Sequence, residues 1–275
     1  MFDGHGGQEA AKYAASKKGL VSTFIKVLQE DGYSAGGANA KDILQEALRK
    51  AFLKVDEEMR EVFNGNPNER SGCTAVAVLI TPQLIVTANA GDSRALLCSG
   101  GENVPLSEDH KPFLEAEKAR IEAAGGCVSM KRVDGELAVS RSLGDFQYKD
   151  NPNLSPEEFK VTANPDVKIY DRTADDEFVV LACDGIWDVM DNDEVIKEVK
   201  EYCALGEHNP KYMCEELLMQ CLEKQSRDNM SAIITLLPAG KALVAEGDGL
   251  TPRFERRAAE AAEEAAKAAE DASGK

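Results

Sequence analysis

The sequence predicts an α+β fold in which helices and antiparallel strands occupy separate stretches of chain. Three observations carry this. Two long segments of helical periodicity come early and two more come late, with short β-rich runs between and after them. Thr81-Pro82-Gln83 joins two of those runs through a link too short for a crossover helix, so they form an antiparallel hairpin. Helices grouped apart from hairpin-linked strands mark a layered α+β arrangement rather than a doubly wound parallel sheet.

The elements follow in order. The first helix begins after Gly7 and is expected to bury Leu20, Val21, Phe24, Ile25 and Leu28. The second opens at Asn39, a good N-cap with Asp42 in its first turn. It carries Leu44, Leu48, Ala51, Phe52, Val55, Met59 and Val62 on one stripe. Strands are expected over Thr74–Ile80, Leu84–Ala90, Ala95–Cys98, Glu136–Ser140, Val167–Asp171, Phe178–Cys183 and Ala232–Leu237. Of the two late helices, one starts at Asp191 with Glu194 three residues on, a capping-box pattern. The other starts at Asn209-Pro210, with proline at the first helical position. Residues 1–237 are expected to form the folded body. Residues 238–275 form an extension in which nine of the fifteen residues Ala258–Ala272 are alanine. Such a stretch favours helix but has no apolar stripe to dock.

The chain of 275 residues holds 49 acids and 32 bases, a formal charge of −17. That excess argues against nucleic acid as the main partner and against docking on anionic lipid. No apolar run approaches the ~18 residues that span a bilayer, and Met1–Leu20 has no secretory apolar core. Seven scattered cysteines with no C-x-x-C argue against a disulfide framework or a zinc ribbon. An intracellular protein of cytosol or nucleus is expected, as a monomer.

Several aspartates sit where solubility does not require them. Asp92 follows the run Leu84–Ala90 through a glycine, and Asp184 follows Phe178–Cys183 directly. Asp228 lies three residues before the strand starting at Ser231, and Asp3 has the same setting in Phe2-Asp3-Gly4-His5-Gly6-Gly7. If strands 178–183 and 231–237 are antiparallel neighbours, Asp184 and Asp228 share one sheet end. Carboxylates converging there repel one another and raise one another's pKa, a cost that divalent cations remove. Any one Asp-Gly reads first as a turn; the constellation is what points to metal. Oxygen donors without a Cys/His cluster select Mg²⁺ or Mn²⁺ over zinc, and the Ca²⁺ loop pattern is absent. Two such ions about 4 Å apart can bridge an attacking hydroxide and bind phosphoryl oxygens.

Seven motifs occur in a specific order. After the opening one come Ser71-Gly72-Cys73-Thr74-Ala75, Asn89-Ala90-Gly91-Asp92-Ser93-Arg94 and Asp109-His110-Lys111-Pro112. Leu137-Ala138-Val139-Ser140-Arg141-Ser142-Leu143-Gly144-Asp145, then Ala182-Cys183-Asp184-Gly185-Ile186-Trp187-Asp188-Val189-Met190, then Ser226-Arg227-Asp228-Asn229-Met230-Ser231 complete the series. Over roughly residues 2–237 this resembles the metal-dependent protein serine/threonine phosphatases of type 2C, the PPM family. The resemblance implies a four-layer αββα fold, an antiparallel β-sandwich flanked by helix pairs, with a two-metal Mg²⁺/Mn²⁺ centre at one end. It implies that Asp3 bridges two ions, that the Gly4 carbonyl binds one, and that Asp184 and Asp228 hold the other. Asp92 and Asp188 match a weaker third metal site, and His5 matches the general acid. The stretch 146–164 matches a variable flap, and phosphoproteins would be the substrates. A metal-bridged water attacks phosphorus in line, so no catalytic cysteine is expected; Cys73 and Cys183 are expected to be buried.

One departure from the family pattern matters. There a strand precedes the Asp-Gly-His motif, and an arginine that grips phosphate and further acidic ligands lie upstream; here only Met1 and Phe2 precede Asp3. An N-terminally truncated domain is expected, with weaker metal binding, lower activity and an open sheet edge. Arg141 is the candidate to replace part of the absent arginine. A catalytically impaired, phosphatase-like scaffold or binding protein is the alternative function. Hydrolysis of a small phosphorylated metabolite is a third.

Overall fold

The computed structural model describes residues 1–250 apart from 35, 36, 38, 65, 67, 68 and 248, so the alanine-rich stretch lies outside the described residues. The chain forms β1 (Phe2–His5), α1 (Glu9–Ala14), α2 (Leu20–Glu30) and α3 (Ala40–Phe63), then β2 (Gly72–Ile80), β3 (Leu84–Ala90), β4 (Arg94–Ser99) and β5 (Glu102–Pro105). Next come α4 (Glu115–Ala123), β6 (Val128–Ser129), β7 (Arg132–Val133), β8 (Leu143–Gly144), β9 (Asp166–Asp171) and β10 (Asp176–Ala182). The last elements are α5 (Asp184–Trp187), α6 (Asn192–Ala204), α7 (Pro210–Glu223), β11 (Ala232–Leu236) and α8 (Pro238–Leu243). The fold is α+β with antiparallel pairing. Strand order in one sheet is β1-β2-β3-β9, with β8 also on β2; in a second it is β11-β10-β4-β5, and β6-β7 form a separate hairpin. The chain divides into two compact units, one of Met1–Leu96, Val104–Thr173 and Leu181–Asp184, the other of Leu97–Asn103, Ala174–Val180 and Gly185 onward.

In the first unit, β2 and β3 pair antiparallel from Ala75↔Ala90 to Ile80↔Ile85, as the short link between them requires. Leu44, Leu48, Ala51, Phe52, Val55 and Met59 of α3 are buried in one cluster with Cys73 and Ala75 of β2 and Val86, Ala88 and Ala90 of β3. Each large side chain there stabilises the unit by about 1.5–3 kcal/mol. Val62, expected on that stripe, is 61% exposed.

The expected first helix is two helices. Gly19 separates them: a Cβ there would lie 2.0 Å from the Ala14 carbonyl oxygen, an approach only glycine permits. Restarting at Leu20 resets the buried face. Leu20, Thr23 and Val27 are buried and Phe24 and Leu28 pack against the same core, an i, i+3, i+4, i+7, i+8 set. Val21 and Ile25 consequently face outward, 67% and 49% exposed. Glu136–Ser140 is not a strand. Asp134 and Gly135 take positive φ and fold the chain back, so Leu137 makes only an isolated bridge to Val133.

In the second unit, α6 opens with the expected capping box, Asp191 and Glu194 bonding each other's backbone. At the start of α7 the Asn209 side chain accepts from the Lys211 amide. Leu237 N donates to Glu177 O at 2.8 Å, tying the exit of β11 to the entry of β10.

Candidate functional site

The site begins on β1, and the motif Phe2–His5 is itself a strand. Alternation along a strand puts Asp3 and His5 on one face and Gly4 on the other. Pairing with β2 sets Asp3 opposite Thr74 and His5 opposite Gly72. Asp184 stands where β10 passes into α5, still within the first unit. One donor atom each from Asp3, Cys183 and Asp184 lie within 4.8 Å of one another, the one such group among the described residues. Two carboxylates this close carry a repulsion that a hard divalent cation relieves, and their oxygens suit Mg²⁺ or Mn²⁺. The residues present fit such an ion. Cys183 is 2% exposed and Cys73 fully buried, as expected. Burial pushes the Cys73 thiol well above its ordinary value, which removes it as a nucleophile.

His5 Nε2 lies 2.6 Å from Asp145 Oδ2, and the two side chains are 30% and 1% exposed. Burial alone would lower the imidazole pKa; the Asp145 hydrogen bond, then the charges of Asp145, Asp3 and Asp92, outweigh it and raise it. Asp145 takes the left-handed conformation at φ 52° and accepts from Ser142 Oγ at 2.5 Å. Its arrival at this point follows from the pairing. β8 joins β2 at Gly72↔Gly144, so Gly72 lies between His5 on one side and the residue before Asp145 on the other. The His5–Asp145 bond passes over Gly72, where a Cβ would come within 2.0 Å of Asp145 Oδ2 and 2.5 Å of His5 Nε2.

Beneath this loop lies a buried polar network that sequence reasoning missed. Asp56 of α3 accepts from the Gly144 amide at 2.8 Å and from Lys149 Nζ at 2.8 Å, while Lys149 also donates to Ser142 O at 2.9 Å. Burial raises the Asp56 pKa, and Lys149 and Gly144 oppose that rise without cancelling it. The available signal was an acid amid Phe52, Val55 and Met59 on an otherwise apolar stripe.

The remaining motif residues have definite places. Asp92 is 3% exposed and ion-paired with Lys111. Burial lowers the Lys111 pKa, but Asp92, Asp109 and Asp184 together raise it further. Arg94 grips Asp109 with Nε and Nη2, at 2.6 and 3.0 Å. His110 Nδ1 accepts from Gly91 N, and its Nε2 lies 3.1 Å from Asp166. Arg141 departs from expectation. Its nitrogens are committed to Glu117, Asp166 and the Asn164 carbonyl, and its side chain is 13% exposed, so it is built in as a brace and not presented to a phosphate. Within 146–164 the chain makes two 3-10 turns, Phe146–Tyr148 and Pro156–Glu158. In the second unit Asp188 and Asp228 line one pocket with Gln225, Ser226 and Arg227. There Ser226 Oγ donates to Gly185 O at 2.6 Å, and the missing side chain of Gly185 admits the Asn229 carbonyl.

The family profile described as Protein phosphatase 2C matches residues 1–230. Protein phosphatase ppm-1.A of Caenorhabditis elegans is 40% identical over 248 residues, covering 87% of this chain and 52% of its own. Protein phosphatase 1A of Homo sapiens is 41% identical over 240 residues, covering 86% and 62% respectively. A crystal structure of a phosphatase from Toxoplasma gondii superposes with a TM-score of 0.70 at 27% identity, over 86% of this chain and 85% of that one. A sex-determining protein of C. elegans gives a TM-score of 0.74 at 28% identity, over 88% and 56%. The chain thus spans between about half and two thirds of the curated relatives it matches.

Proposed function

The chain belongs to the protein phosphatase 2C family, and from that premise we propose that it hydrolyses phosphoserine and phosphothreonine esters of proteins with the aid of Mg²⁺ or Mn²⁺. The observation that carries this reading is the meeting of Asp3, on the strand that also presents His5, with Asp184 at the start of α5, their donor atoms within 4.8 Å. Asp3, the Gly4 carbonyl and Asp184 are the proposed ligands in the first unit; Asp228 is assigned to the same role, and Asp92 and Asp188 to a weaker third site, by motif position. When bound, the ions supply charge neutralisation to the phosphoryl oxygens and make water a stronger acid. The side chains do the rest. Asp3 and Asp184 fix where the cations sit, and His5 provides the proton that lets the serine or threonine alkoxide leave. Five of the seven cysteines are buried, out of reach of a substrate, which suits direct attack by water.

Manganese-dependent release of phosphate from a phosphothreonine peptide tests this. Asp184→Asn is expected to abolish it while leaving the fold intact by circular dichroism. No release from the unaltered chain, with tight peptide binding, would instead support the scaffold reading.

A further inference from the structure

We propose that Asp145 is the positioning residue for His5, holding the ring through Nε2 so that Nδ1 is left to serve the departing oxygen. This rests on the ester-hydrolysis reading above. An ionised carboxylate only accepts, so the 2.6 Å contact makes Nε2 a donor and fixes the tautomer. The carboxylate is itself immobilised. Ser142 Oγ donates to the same oxygen at 2.5 Å, the Asp145 amide donates to Ser71 O at 3.1 Å, and the preceding amide is held by Asp56. The left-handed backbone at φ 52° is one that aspartate and asparagine tolerate better than other side chains. Gly72 completes the arrangement, since any side chain there would occupy the space of the contact.

The proton inventory is simple. In the step that releases the alcohol, the oxygen of the attacking water bonds phosphorus as the ester P–O bond breaks, the Nδ1–H bond of the imidazolium breaks, the O–H bond of the serine or threonine product forms, and the ring becomes neutral. Asp145 stays ionised and keeps its hydrogen bond from Nε2 throughout. One water is consumed, and nothing is oxidised or reduced.

Asp145→Asn keeps the backbone conformation and removes the charge, and it is the variant to test. With Mn²⁺, kcat toward a phosphothreonine peptide is expected to fall about 100-fold, the scale of general acid assistance. Toward p-nitrophenyl phosphate, whose leaving group needs no proton, kcat should change less than about 3-fold, and KM should hold for both. Ser142→Ala should shift the two substrates in the same sense by a smaller factor. Equal losses on both substrates, or no loss on the peptide, would overturn the proposal. ¹⁵N spectra of the ring give a readout that needs no turnover: in the neutral ring Nε2 carries the proton in the unaltered chain, and that proton redistributes toward Nδ1 in Asp145→Asn. Identical ring spectra would overturn it as well. Should the unaltered chain hydrolyse neither substrate, the hydrolase reading fails while the ring spectra still decide the pairing.

Discussion

Lys149 and Asp56 meet at 2.8 Å with side chains 0% and 10% exposed, an ion pair closed off from water beneath the His5–Asp145 loop. The pair joins α3 to the loop after β8, since Asp56 also holds Gly144 and Lys149 also holds Ser142. Removing one partner strands the other. Lys149→Met is expected to cost about 3–5 kcal/mol in denaturant unfolding. Burial already raises the Asp56 pKa. Without the lysine that rise is opposed only by the Gly144 amide and the Arg60 charge, so the deficit should be largest at alkaline pH and shrink as the pH falls through the raised value. A deficit independent of pH would mean that Asp56 stays neutral throughout.

Glu117 gives the opposite pH dependence. Its burial would raise its pKa, but Arg141, Arg120 and Ser140 outweigh that and hold it at about 2, against an ordinary 4.5. The carboxylate therefore contributes stability above about pH 4.5 that is lost as the pH falls toward 2. The linked contribution is on the order of 3 kcal/mol. Unfolding measured between pH 7 and pH 2 should show the unaltered chain losing stability steeply, and Glu117→Gln starting lower with a flatter profile.

Gly72→Ala places a methyl group in the path of the His5–Asp145 contact. A loss of about 1–3 kcal/mol is expected from overpacking, with activity reduced further than stability alone explains. Thermal melting beside peptide turnover checks both.

Cation binding should report directly on the carboxylate pair. Mn²⁺ at a hundred times its Kd is expected to add about 2.7 kcal/mol to unfolding, seen as a higher Tm. Asp3→Asn and Asp184→Asn should each lose most of that increment. An increment equal in all three proteins would move the ion-binding site elsewhere.

Thiol labelling checks the burial pattern independently. Cys127 is exposed and Cys214 partly so, while Cys73, Cys98, Cys183, Cys203 and Cys221 are buried. Native protein should label quickly at Cys127, more slowly at Cys214, and at the others only on unfolding.

Helix and strand periodicity were enough for α3, the β2–β3 hairpin and the capped starts of α6 and α7, because each has a local signal strong enough to stand alone. Val21 and Ile25 were misplaced because the break at Gly19 shifts the helical phase, and hydrophobicity by itself does not record phase. Glu136–Ser140 looked like a strand by composition, yet Ser140 and Arg141 are committed to polar partners across the unit: the Ser140 carbonyl accepts from Arg120 at 2.6 Å, and Arg141 binds Glu117. At the site, Asp3 and Asp184 were readable as strand-end acids. The partnership of His5 with Asp145 was not, since 140 residues separate them and only the registry of two short strands on Gly72 brings them together.

The carboxylate of Asp56 reaches out of a long helix to hold the amide of Gly144. That amide can trade its hydrogen with solvent only when the helix gives way. Deuterium uptake there should be as slow as at Phe52 or Val55, deep in the core. Alignment of the imidazole thus inherits the rigidity of the most stable part of the unit, rather than the looseness ordinarily found in a surface loop.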